Sequence, residues 1–363
     1  MAKHKQGDAL TARPIAGAEL SREDIEAAAR QARLLSMEIE MTHACNLHCG
    51  YCYASAGKPL ADELSLTEII DAVIQAADLG ARKIVVLGGG EPCMYRDLHA
   101  LIERIRAMEL DVELFTNGTL IDRSRAEFLH NSGVSVVVKR NSLRQAVQDE
   151  LAGVPGAFER IEKGLAALME AGYPDQTHGL GVQTVICRKN LDEICDLWRW
   201  ARDRGIQPYF ECLTVQGRLN ENMHLNISLE ETRGVFLDLC RIDREVYGVS
   251  WAPHPPLASS RCARHLYSIL LTANGDFHPC VGVAIPVGNV RRDRLADILT
   301  ADPVLCDMRN IYDRIKGRCR DCQLNGECYG CRGNAFQLTG DHLASDPSCW
   351  LNGDYRARPE AQR

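Results

Sequence analysis

The sequence lacks a long uninterrupted run of apolar residues. A helix that spans a bilayer needs about 20 consecutive apolar residues, and the longest candidates here, such as KIVVLGGG at 83–90, have the length of buried strands. The N-terminal stretch MAKHKQGDALTARPIAG contains no apolar segment like that of a secretory signal. We therefore expect a cytoplasmic protein with no membrane partner.

An excess of positive charge is also missing. The 363 residues include 42 lysines and arginines against 49 aspartates and glutamates, for a formal net charge of −7. A protein that binds nucleic acid needs a basic face to meet the phosphates. We therefore expect a peptide or small-molecule substrate and no nucleic acid. Hydrophobic residues make up 45% of the chain, which is enough for a sizeable core.

Cysteine, in contrast, is abundant. The chain has 16 cysteines, and clustered cysteines in the reducing cytosol indicate metal or redox chemistry more often than disulfides. The segment ACNLHCGYCY places Cys45, Cys49 and Cys52 at the spacing C-x3-C-x2-C. A cubane [4Fe–4S] cluster normally takes four thiolates, so three would leave one iron open. A zinc site made of these cysteines and His48 is the alternative.

Short apolar strands alternate with amphipathic helices over most of the chain. Two helical patterns open with capping boxes, at Ser65 and Glu68 and at Ser228 and Glu231. Six β-α units imply parallel strands with right-handed crossovers, and six is fewer than the eight of a complete barrel. We predict an α/β fold with a partial (β/α)6 TIM-like barrel; a doubly wound sheet is the alternative. The predicted strands are 37–42, 83–88, 111–116, 134–139, 181–186 and 207–212.

Polar or glycine-rich clusters follow the predicted strands. Because chemistry in parallel barrels takes place at the carboxyl ends of the strands, we expect these clusters to form the rim of an active site. After the Cys45 loop they are GGGE at 88–91, TNG at 116–118, KRNS at 139–142, RKN at 188–190, and the pair Glu211 and Cys212.

The pattern changes after residue 250. A linker rich in proline and serine precedes a hairpin predicted at Asn274–Gly275. Beyond it, helical periodicity is weak and cysteines are dense, so we expect a small cysteine-rich α+β domain that metal stabilises in place of a core. The predicted organisation is an N-terminal extension, partly flexible, at 1–35, the barrel at 36–240, a linker at 241–261, the cluster domain at 262–350 and a flexible tail at 351–363.

The motifs at the strand ends resemble those of radical S-adenosylmethionine (SAM) enzymes. The C-x3-C-x2-C segment with Tyr51 before its last cysteine, GGEP at 89–92 and TNG at 116–118 match the family's signature over roughly residues 36 to 235. The resemblance implies a [4Fe–4S] cluster on Cys45, Cys49 and Cys52, whose open iron binds SAM. Reductive cleavage of SAM would then give a 5′-deoxyadenosyl radical that abstracts a hydrogen atom from the substrate.

The resemblance also implies roles for residues around SAM. Glu91 would pair with the SAM ammonium, Gly89 and Gly90 would let the methionine moiety approach, and Tyr51 would lie by the adenine. The TNG match adds Asn117. Where the family often shows Ser-Ile/Leu-Asp-Gly, this chain has KRNS, so we expect Lys139 and Asn141 to contact SAM or the substrate, with a solvated Lys139 as the alternative. Cys93 and Cys212 are candidate hydrogen-atom donors, although a cysteine like Cys93 is more often buried packing.

The C-terminal cysteines resemble the SPASM module, which carries auxiliary iron–sulfur clusters. The resemblance implies two of them. One lacks an evident fourth ligand, for which Cys212 or Cys240 are candidates unless the position stays open to substrate. Its ligands would be Cys262, Cys280 and Cys331, and those of the other would be Cys319, Cys322, Cys328 and Cys349.

These resemblances predict a radical SAM oxidoreductase or maturase. We expect oxidative modification, by dehydrogenation or cross-linking, of a peptide or natural-product precursor, with electrons from a low-potential donor such as flavodoxin or ferredoxin. A carbohydrate or aminocyclitol dehydrogenase or epimerase is the alternative. A non-catalytic iron–sulfur carrier or zinc scaffold is more remote, because a carrier has no use for GGGEP.

Overall fold

The structure, a computed structural model, describes residues 12–352. Within that range it contains one sheet of nine strands. The strands are β1 (Ser36–Ile39), β2 (Lys83–Val86), β3 (Asp111–Thr116), β4 (Val134–Lys139), β5 (Leu180–Ile186), β6 (Gln207–Cys212), β7 (Leu270–Leu271), β8 (Asp276–His278) and β9 (Gly288–Asn289). The helices are α1 (Arg22–Arg30), α2 (Leu66–Asp78), α3 (Leu98–Ala107), α4 (Arg123–Asn131), α5 (Gln145–Ala152), α6 (Ala157–Glu170), α7 (Ile194–Arg202), α8 (Leu229–Ile242), α9 (Leu295–Ala301), α10 (Pro303–Arg309), α11 (Ile311–Arg314) and α12 (Arg332–Thr339).

The first six strands follow chain order across the sheet. The order is β6-β5-β4-β3-β2-β1, and each adjacent pair is parallel. A doubly wound sheet would reverse its direction at a switch point, and this sheet does not. The fold is therefore the predicted α/β arrangement with an open, barrel-like parallel sheet. No helix among the described residues is long and apolar enough to cross a membrane.

Both predicted capping boxes form. Ser65 and Glu68 satisfy each other's backbone N–H groups at the start of α2, and Ser228 and Glu231 do so at the start of α8. These contacts give hydrogen-bond partners to backbone N–H groups that would otherwise be unpaired, and they fix the residue at which each helix begins. The buried face of α2, which includes Ile69 and Val73, then packs in the main core.

A segment before the first helix closes the amino end of the barrel. Ile15 is fully buried, and its side chain occupies the space next to Gly179 and Gly181. The N–H of Ala16 donates to both carboxylate oxygens of Glu113, at 3.1 and 3.0 Å. This part of the predicted N-terminal extension is thus packed against the sheet. The outermost parts of the predicted flexible ends, 1–11 and 353–363, lie outside the described residues.

The C-terminal part of the chain continues the barrel sheet. The hairpin predicted at Asn274–Gly275 forms between antiparallel β7 and β8, and β7 also pairs in parallel with β1. The region forms an apolar cluster together with α1, contrary to the expectation that metal takes the place of a core. The sequence of this region shows little helical periodicity because its apolar residues lie on several short helices. Leu295, Ile298, Leu299 and Leu305 join the main core, and Met308, Ile311 and Ile315 belong to a second cluster.

Candidate active site

One cavity of about 290 Å³ runs through the barrel. It extends from the loops at the carboxyl ends of the strands to Ala16 and Gly17 at the amino end. Thirteen of the residues that the sequence predicted as functional line it together: Cys45, Cys49, Tyr51, Cys52, Gly89, Gly90, Glu91, Asn117, Lys139, Cys212, Cys262, Cys280 and Cys331.

The cysteine loop at 43–57 is held by backbone contacts to the GGGEP segment. The N–H of Gly90 donates to the carbonyl of Thr42 at 2.7 Å, and the N–H of Glu91 donates to the carbonyl of Ala44 at 2.8 Å. A Cβ atom on Gly90 would lie 2.1 Å from the Ala44 carbonyl oxygen. Gly90 was predicted to make room for a ligand, but the protein's own backbone occupies the space beside it. Glycine is required there by the cysteine loop.

A second loop, at 217–222, contacts the cysteine loop from the other side. Arg218 donates from Nε to the Cys49 carbonyl at 2.9 Å and from Nη1 to the Ala56 carbonyl at 2.8 Å. Gly217 has a positive φ of 58°, and a Cβ there would lie 2.4 Å from the Cys52 carbonyl oxygen. Sequence reasoning missed this loop. The dipeptide Gly217–Arg218 after the sixth strand was the available signal, but nothing in its spacing points to a partner so far away in the chain.

Glu91 is a buried carboxylate with three hydrogen-bond donors. Its Oε1 accepts from the Thr116 hydroxyl at 2.6 Å and from the Cys93 N–H at 3.0 Å, and its Oε2 accepts from the Asn117 N–H at 2.7 Å. Burial raises the pKa of Glu91, although these hydrogen bonds act in the opposite direction. A cation in the cavity would therefore stabilise the ionised form.

Asn117 connects the end of β3 to the cysteine loop. Its side-chain nitrogen donates to Asn46 Oδ1 at 2.9 Å, and its Oδ1 accepts from the Thr119 hydroxyl at 2.6 Å. Asn46 lies directly after Cys45 and also donates to Thr119. The amide of Asn117 therefore positions the residue next to Cys45 while its own surface lines the cavity.

Lys139 is enclosed beside Tyr51. Its Nζ lies 3.6 Å from Glu211 Oε1 and 5.3 Å from the centre of the Tyr51 ring. Burial lowers the pKa of Lys139, with Glu211 opposing the shift. The alternative of a solvated lysine does not fit these contacts. Asn141 is fully buried outside the cavity lining, where it donates to the Tyr51 hydroxyl at 2.5 Å, so it supports Tyr51 from behind.

Cys262, Cys280 and Cys331 face the same cavity from the C-terminal part of the chain. Cys331 lies at the start of α12, where its Sγ accepts from the Asn334 N–H at 3.4 Å. The Asn334 side chain donates to the Leu213 carbonyl at 3.0 Å. This bond ties α12 to the end of β6, next to Cys212.

Two buried side chains in this part of the cavity have unpaired polar atoms. His265 Nε2 and both Nε and Nη2 of Arg332 are buried and have no hydrogen-bond partner among the described residues. Both residues line the cavity together with the three cysteines. Buried polar groups are nearly always paired, so unpaired ones indicate a missing group, and a negatively charged cluster among these thiols would complement them.

The remaining four predicted ligands lie outside the cavity lining. Their sulfurs accept hydrogen bonds, in which Leu324 N–H donates to Cys322, Gly330 N–H to Cys328 and the Asn352 side chain to Cys319, at 3.3 to 3.5 Å. Burial raises the pKa of Cys349 to about 12, and the nearby Asp346, Cys319 and Cys328 add to the shift. Hydrogen bonds to ligand sulfurs are typical of iron–sulfur sites.

The spacing of the thiols does not fit a single zinc ion. With Zn–S bonds of about 2.3 Å in a tetrahedron, ligand sulfurs lie about 3.8 Å apart. Among residues 12–352, the only three metal-binding side chains with ligand atoms within 4.8 Å of one another are His130, Asp175 and His178. No three of the cysteine sulfurs in this range are therefore gathered at the spacing of a single zinc ion. His48, the proposed fourth zinc ligand, is exposed and outside the cavity lining.

Two other predicted cysteines are not at the cavity. Cys93 is buried in the main core, with its Sγ 3.7 Å from the Thr116 hydroxyl, so the packing interpretation fits it better than hydrogen-atom donation. The Cys240 thiol donates to the Trp251 carbonyl at 3.1 Å and is also outside the lining, which disfavours it as a cluster ligand.

Two protein families match the chain. Residues 39–201 match the radical SAM superfamily, and residues 262–323 match SPASM, an iron–sulfur cluster-binding domain.

Individual relatives match most of the chain. An AdoMet-dependent heme synthase of Methanosarcina barkeri is 27% identical in an alignment of length 336 that covers 85% of this chain and 94% of that protein. A PqqA peptide cyclase of Methylocella silvestris is 29% identical in an alignment of length 339 that covers 87% of either chain. Among solved structures, Streptococcus suis SuiB bound to its precursor peptide SuiA superposes with a TM-score of 0.67 at 20% identity, covering 90% of this chain and 79% of SuiB.

Proposed function

Because this chain belongs to the radical SAM superfamily and carries a SPASM iron–sulfur cluster-binding domain, we propose that it catalyses a two-electron oxidation of a substrate bound in the barrel cavity. The cofactors of such an enzyme are a [4Fe–4S] cluster, SAM and auxiliary iron–sulfur clusters. When bound, the first cluster and SAM supply a 5′-deoxyadenosyl radical that takes a hydrogen atom from the substrate.

In this proposal the residues of the cysteine loop hold the first cluster and SAM. Cys45, Cys49 and Cys52 would hold the cluster. Glu91, fixed by its three hydrogen bonds, pairs with the SAM ammonium, since a buried carboxylate with a raised pKa gains most from a cationic partner. Tyr51 and Lys139 line the adjoining wall of the cavity, and the Asn141 amide holds the Tyr51 hydroxyl in place.

One observation carries the oxidative assignment. The two cysteine sets, Cys45/Cys49/Cys52 and Cys262/Cys280/Cys331, open into the same continuous cavity. A substrate between the two cysteine sets would lie next to the site of hydrogen abstraction and also next to an electron acceptor. An isomerisation that regenerates SAM would need no such acceptor.

The electron and proton balance follows from that arrangement. A low-potential donor of the flavodoxin or ferredoxin class would supply the one electron for SAM cleavage. Cys262, Cys280 and Cys331 would hold an auxiliary cluster that could accept the second electron of the oxidation, after the hydrogen atom has left the substrate, and a base would take the remaining proton. Glu211 is our candidate base, because it lines the cavity, forms an ion pair with Lys139 and accepts a hydrogen bond from the Gln183 side chain. The cluster on Cys319, Cys322, Cys328 and Cys349 would pass the electron outward.

We propose a peptide as the substrate. Two similarities support this choice. One relative of similar length is a PqqA peptide cyclase, and SuiB, whose structure has a similar fold, was solved with its precursor peptide SuiA bound. The second candidate is an iron porphyrin, favoured by the similarity to the heme synthase of Methanosarcina barkeri, 94% of which this chain covers. Lys139 and Arg264 line the cavity and could meet the carboxylates of a porphyrin.

The test uses anaerobic, reconstituted enzyme with SAM and a chemical reductant. We expect 5′-deoxyadenosine and methionine, and we expect Cys45→Ala, Cys49→Ala and Cys52→Ala together to abolish both while the iron of the auxiliary clusters remains. Deoxyadenosine formation should accelerate with the true substrate, offered either as peptides encoded near this gene or as an iron porphyrin. Unchanged deoxyadenosine production in the triple variant would reject the assignment of the loop.

The product separates oxidation from epimerisation. Oxidation removes two hydrogens, about 2 Da by stoichiometry, and introduces no solvent deuterium at the reacting carbon. Epimerisation would return a hydrogen atom from a thiol, for which Cys212 is the candidate that lines the cavity. A product of unchanged oxidation state that carries one solvent deuteron, and that disappears in Cys212→Ala, would overturn the oxidative assignment.

A further inference from the structure

The cysteine set at the C-terminal side of the cavity is one ligand short. A cubane cluster normally takes four protein ligands, and Cys262, Cys280 and Cys331 provide three. Cys240 is turned away to the Trp251 carbonyl. Cys212 also lines the cavity, at the end of β6, and its charged neighbours include both the buried Asp346 and Cys331, so it competes for the position. The position calls for another donor that is buried and otherwise unused.

His265 has those properties. It lies three residues after Cys262, on the short 3-10 turn Arg264–Leu266, and only 4% of its surface is exposed. Its Nδ1 lies 3.2 Å from the hydroxyl of the buried Tyr329. Its Nε2 is buried without a hydrogen-bond partner among residues 12–352, and the residue lines the cavity beside the three thiols.

This combination is the one that metal-bound histidines show. A ligating imidazole binds through one ring nitrogen, while the other is held by a second group that fixes the ring's orientation and tautomer. The Tyr329 hydroxyl provides that second contact, and it leaves Nε2 free to bind. Arg332, whose Nε and Nη2 are also unpaired, lies at the same place and can supply hydrogen bonds or charge to the cluster's sulfurs.

We infer that His265 Nε2 is the fourth ligand of the auxiliary cluster held by Cys262, Cys280 and Cys331. The inference rests on the proposed function, in which those cysteines hold a cluster. Two consequences follow. The cluster has no open position for the substrate, so it accepts the substrate's electron without binding it. Its potential is higher than that of a cluster with four thiolates, since imidazole in place of thiolate raises the potential in Rieske centres, which suits an electron acceptor.

The test is spectroscopic and uses the full-length reconstituted protein. The Cys45, Cys49 and Cys52 to Ala background removes the first cluster, and SAM is omitted. Dithionite-reduced samples are examined by electron spin-echo envelope modulation, with natural protein and with protein labelled with [15N]histidine. We expect a strongly coupled, directly bonded nitrogen whose signal changes to that of 15N in the labelled sample.

Variants identify the histidine. His265→Cys should keep the cluster's iron and sulfide, lose the histidine signal and titrate at a lower potential in an EPR-monitored redox titration. His278→Asn is the matched control, because His278 Nε2 is also buried and unpaired but His278 does not line the cavity. That variant, and Cys212→Ala, should keep the signal.

The outcomes distinguish an error in the proposed cluster from an error in its proposed fourth ligand. If the iron content does not fall in a Cys262→Ala, Cys280→Ala and Cys331→Ala variant, the proposed cluster itself is wrong. If the cluster is present but shows only weakly coupled histidine nitrogen, or if His265→Cys leaves both the nitrogen signal and the potential unchanged, His265 is not a ligand and the inference fails.

Discussion

Glu91 is held by three donors and nevertheless buried at 1% exposure, so its charge has to be balanced by something in the cavity. In Glu91→Gln the charge is lost, and the amide NH2 in place of Oε2 would face the Asn117 N–H. Losing one charge-assisted hydrogen bond costs about 1.5–3 kcal/mol. We therefore expect SAM affinity to fall about 10- to 150-fold, measured by equilibrium dialysis on reconstituted protein.

The matched control for Glu91 is Glu103→Gln, which removes an equal charge from an exposed position on α3. It should bind SAM as the natural protein does. If Glu91→Gln bound SAM with unchanged affinity while the iron content was normal, Glu91 would not be the partner of the SAM ammonium.

Glu40 makes folding stability depend on pH. Burial raises its pKa to about 7, although the Tyr53 hydroxyl donates to its Oε1 at 2.6 Å. The folded protein therefore binds a proton more tightly than the unfolded chain, and the stability from this group is lost as pH rises from about 4.5 to about 7. Glu40→Gln should flatten that part of the profile, measured as urea unfolding midpoints at pH 5, 6, 7 and 8. An identical pH profile in the variant, with Glu103→Gln for comparison, would contradict the shift.

At the scale of elements, the loop at 217–222 determines how firmly the cysteine loop is held. Arg218→Ala removes two hydrogen bonds, to the carbonyls of Cys49 and Ala56. At about 0.5–1.5 kcal/mol for each bond, we expect a chelator to remove the iron of the first cluster about tenfold faster under anaerobic conditions. Arg218→Lys should be intermediate, because one cation can replace one of the two donors.

The control for Arg218 is Arg188→Ala, which breaks an exposed ion pair with Glu231. Iron loss in that variant should match the natural protein. Equal chelation rates for Arg218→Ala and Arg188→Ala would show that the loop does not stabilise the cysteine loop.

The elements were predictable from the sequence where the signal is local. The capping boxes at Ser65 and Ser228 and the turn at Asn274–Gly275 act within a few residues, so short patterns predict them. The motifs at the strand ends were predictable because parallel strands bring their carboxyl ends together. Arg218 and His265 were not, since the carbonyls that Arg218 contacts and the Tyr329 hydroxyl that contacts His265 are distant in sequence.

At the scale of the whole molecule, the C-terminal part is more firmly built than its composition predicts. Its helices α9 and α10 place Leu295, Ile298 and Leu305 in the main core. Cys319→Ala with Cys322→Ala should therefore remove about one cluster, four irons on a cubane count, without unfolding residues 270–311. Hydrogen exchange and limited proteolysis should show loss of protection confined to about residues 312–350. Rapid cleavage between 295 and 311 would show that metal, and not the apolar core, holds this part.

The difference between expected and observed whole-molecule organisation has a single physical cause. Apolar periodicity predicts helices of ten residues or more, while α9, α10 and α11 have seven, seven and four residues. The parallel pairing of β7 with β1 has no local signature either, because β7 has only two residues. The density of cysteines is the clearest pattern in this part of the sequence, so the sequence predicts metal binding there more readily than an apolar core.

The pairing of β1 with β7 also has a consequence for biosynthesis. Glu38 pairs with Leu270, so one edge of β1 has its partner only when the ribosome has translated about 230 further residues. At about 5–20 residues per second that wait lasts roughly ten to fifty seconds. During it, the nascent barrel exposes an unpaired strand edge directly before the cysteine loop. Chaperone demand and the timing of cluster delivery in the cell should therefore follow the emergence of β7, and rare codons placed shortly before residue 270 should lower the yield of loaded protein more than rare codons placed after residue 310.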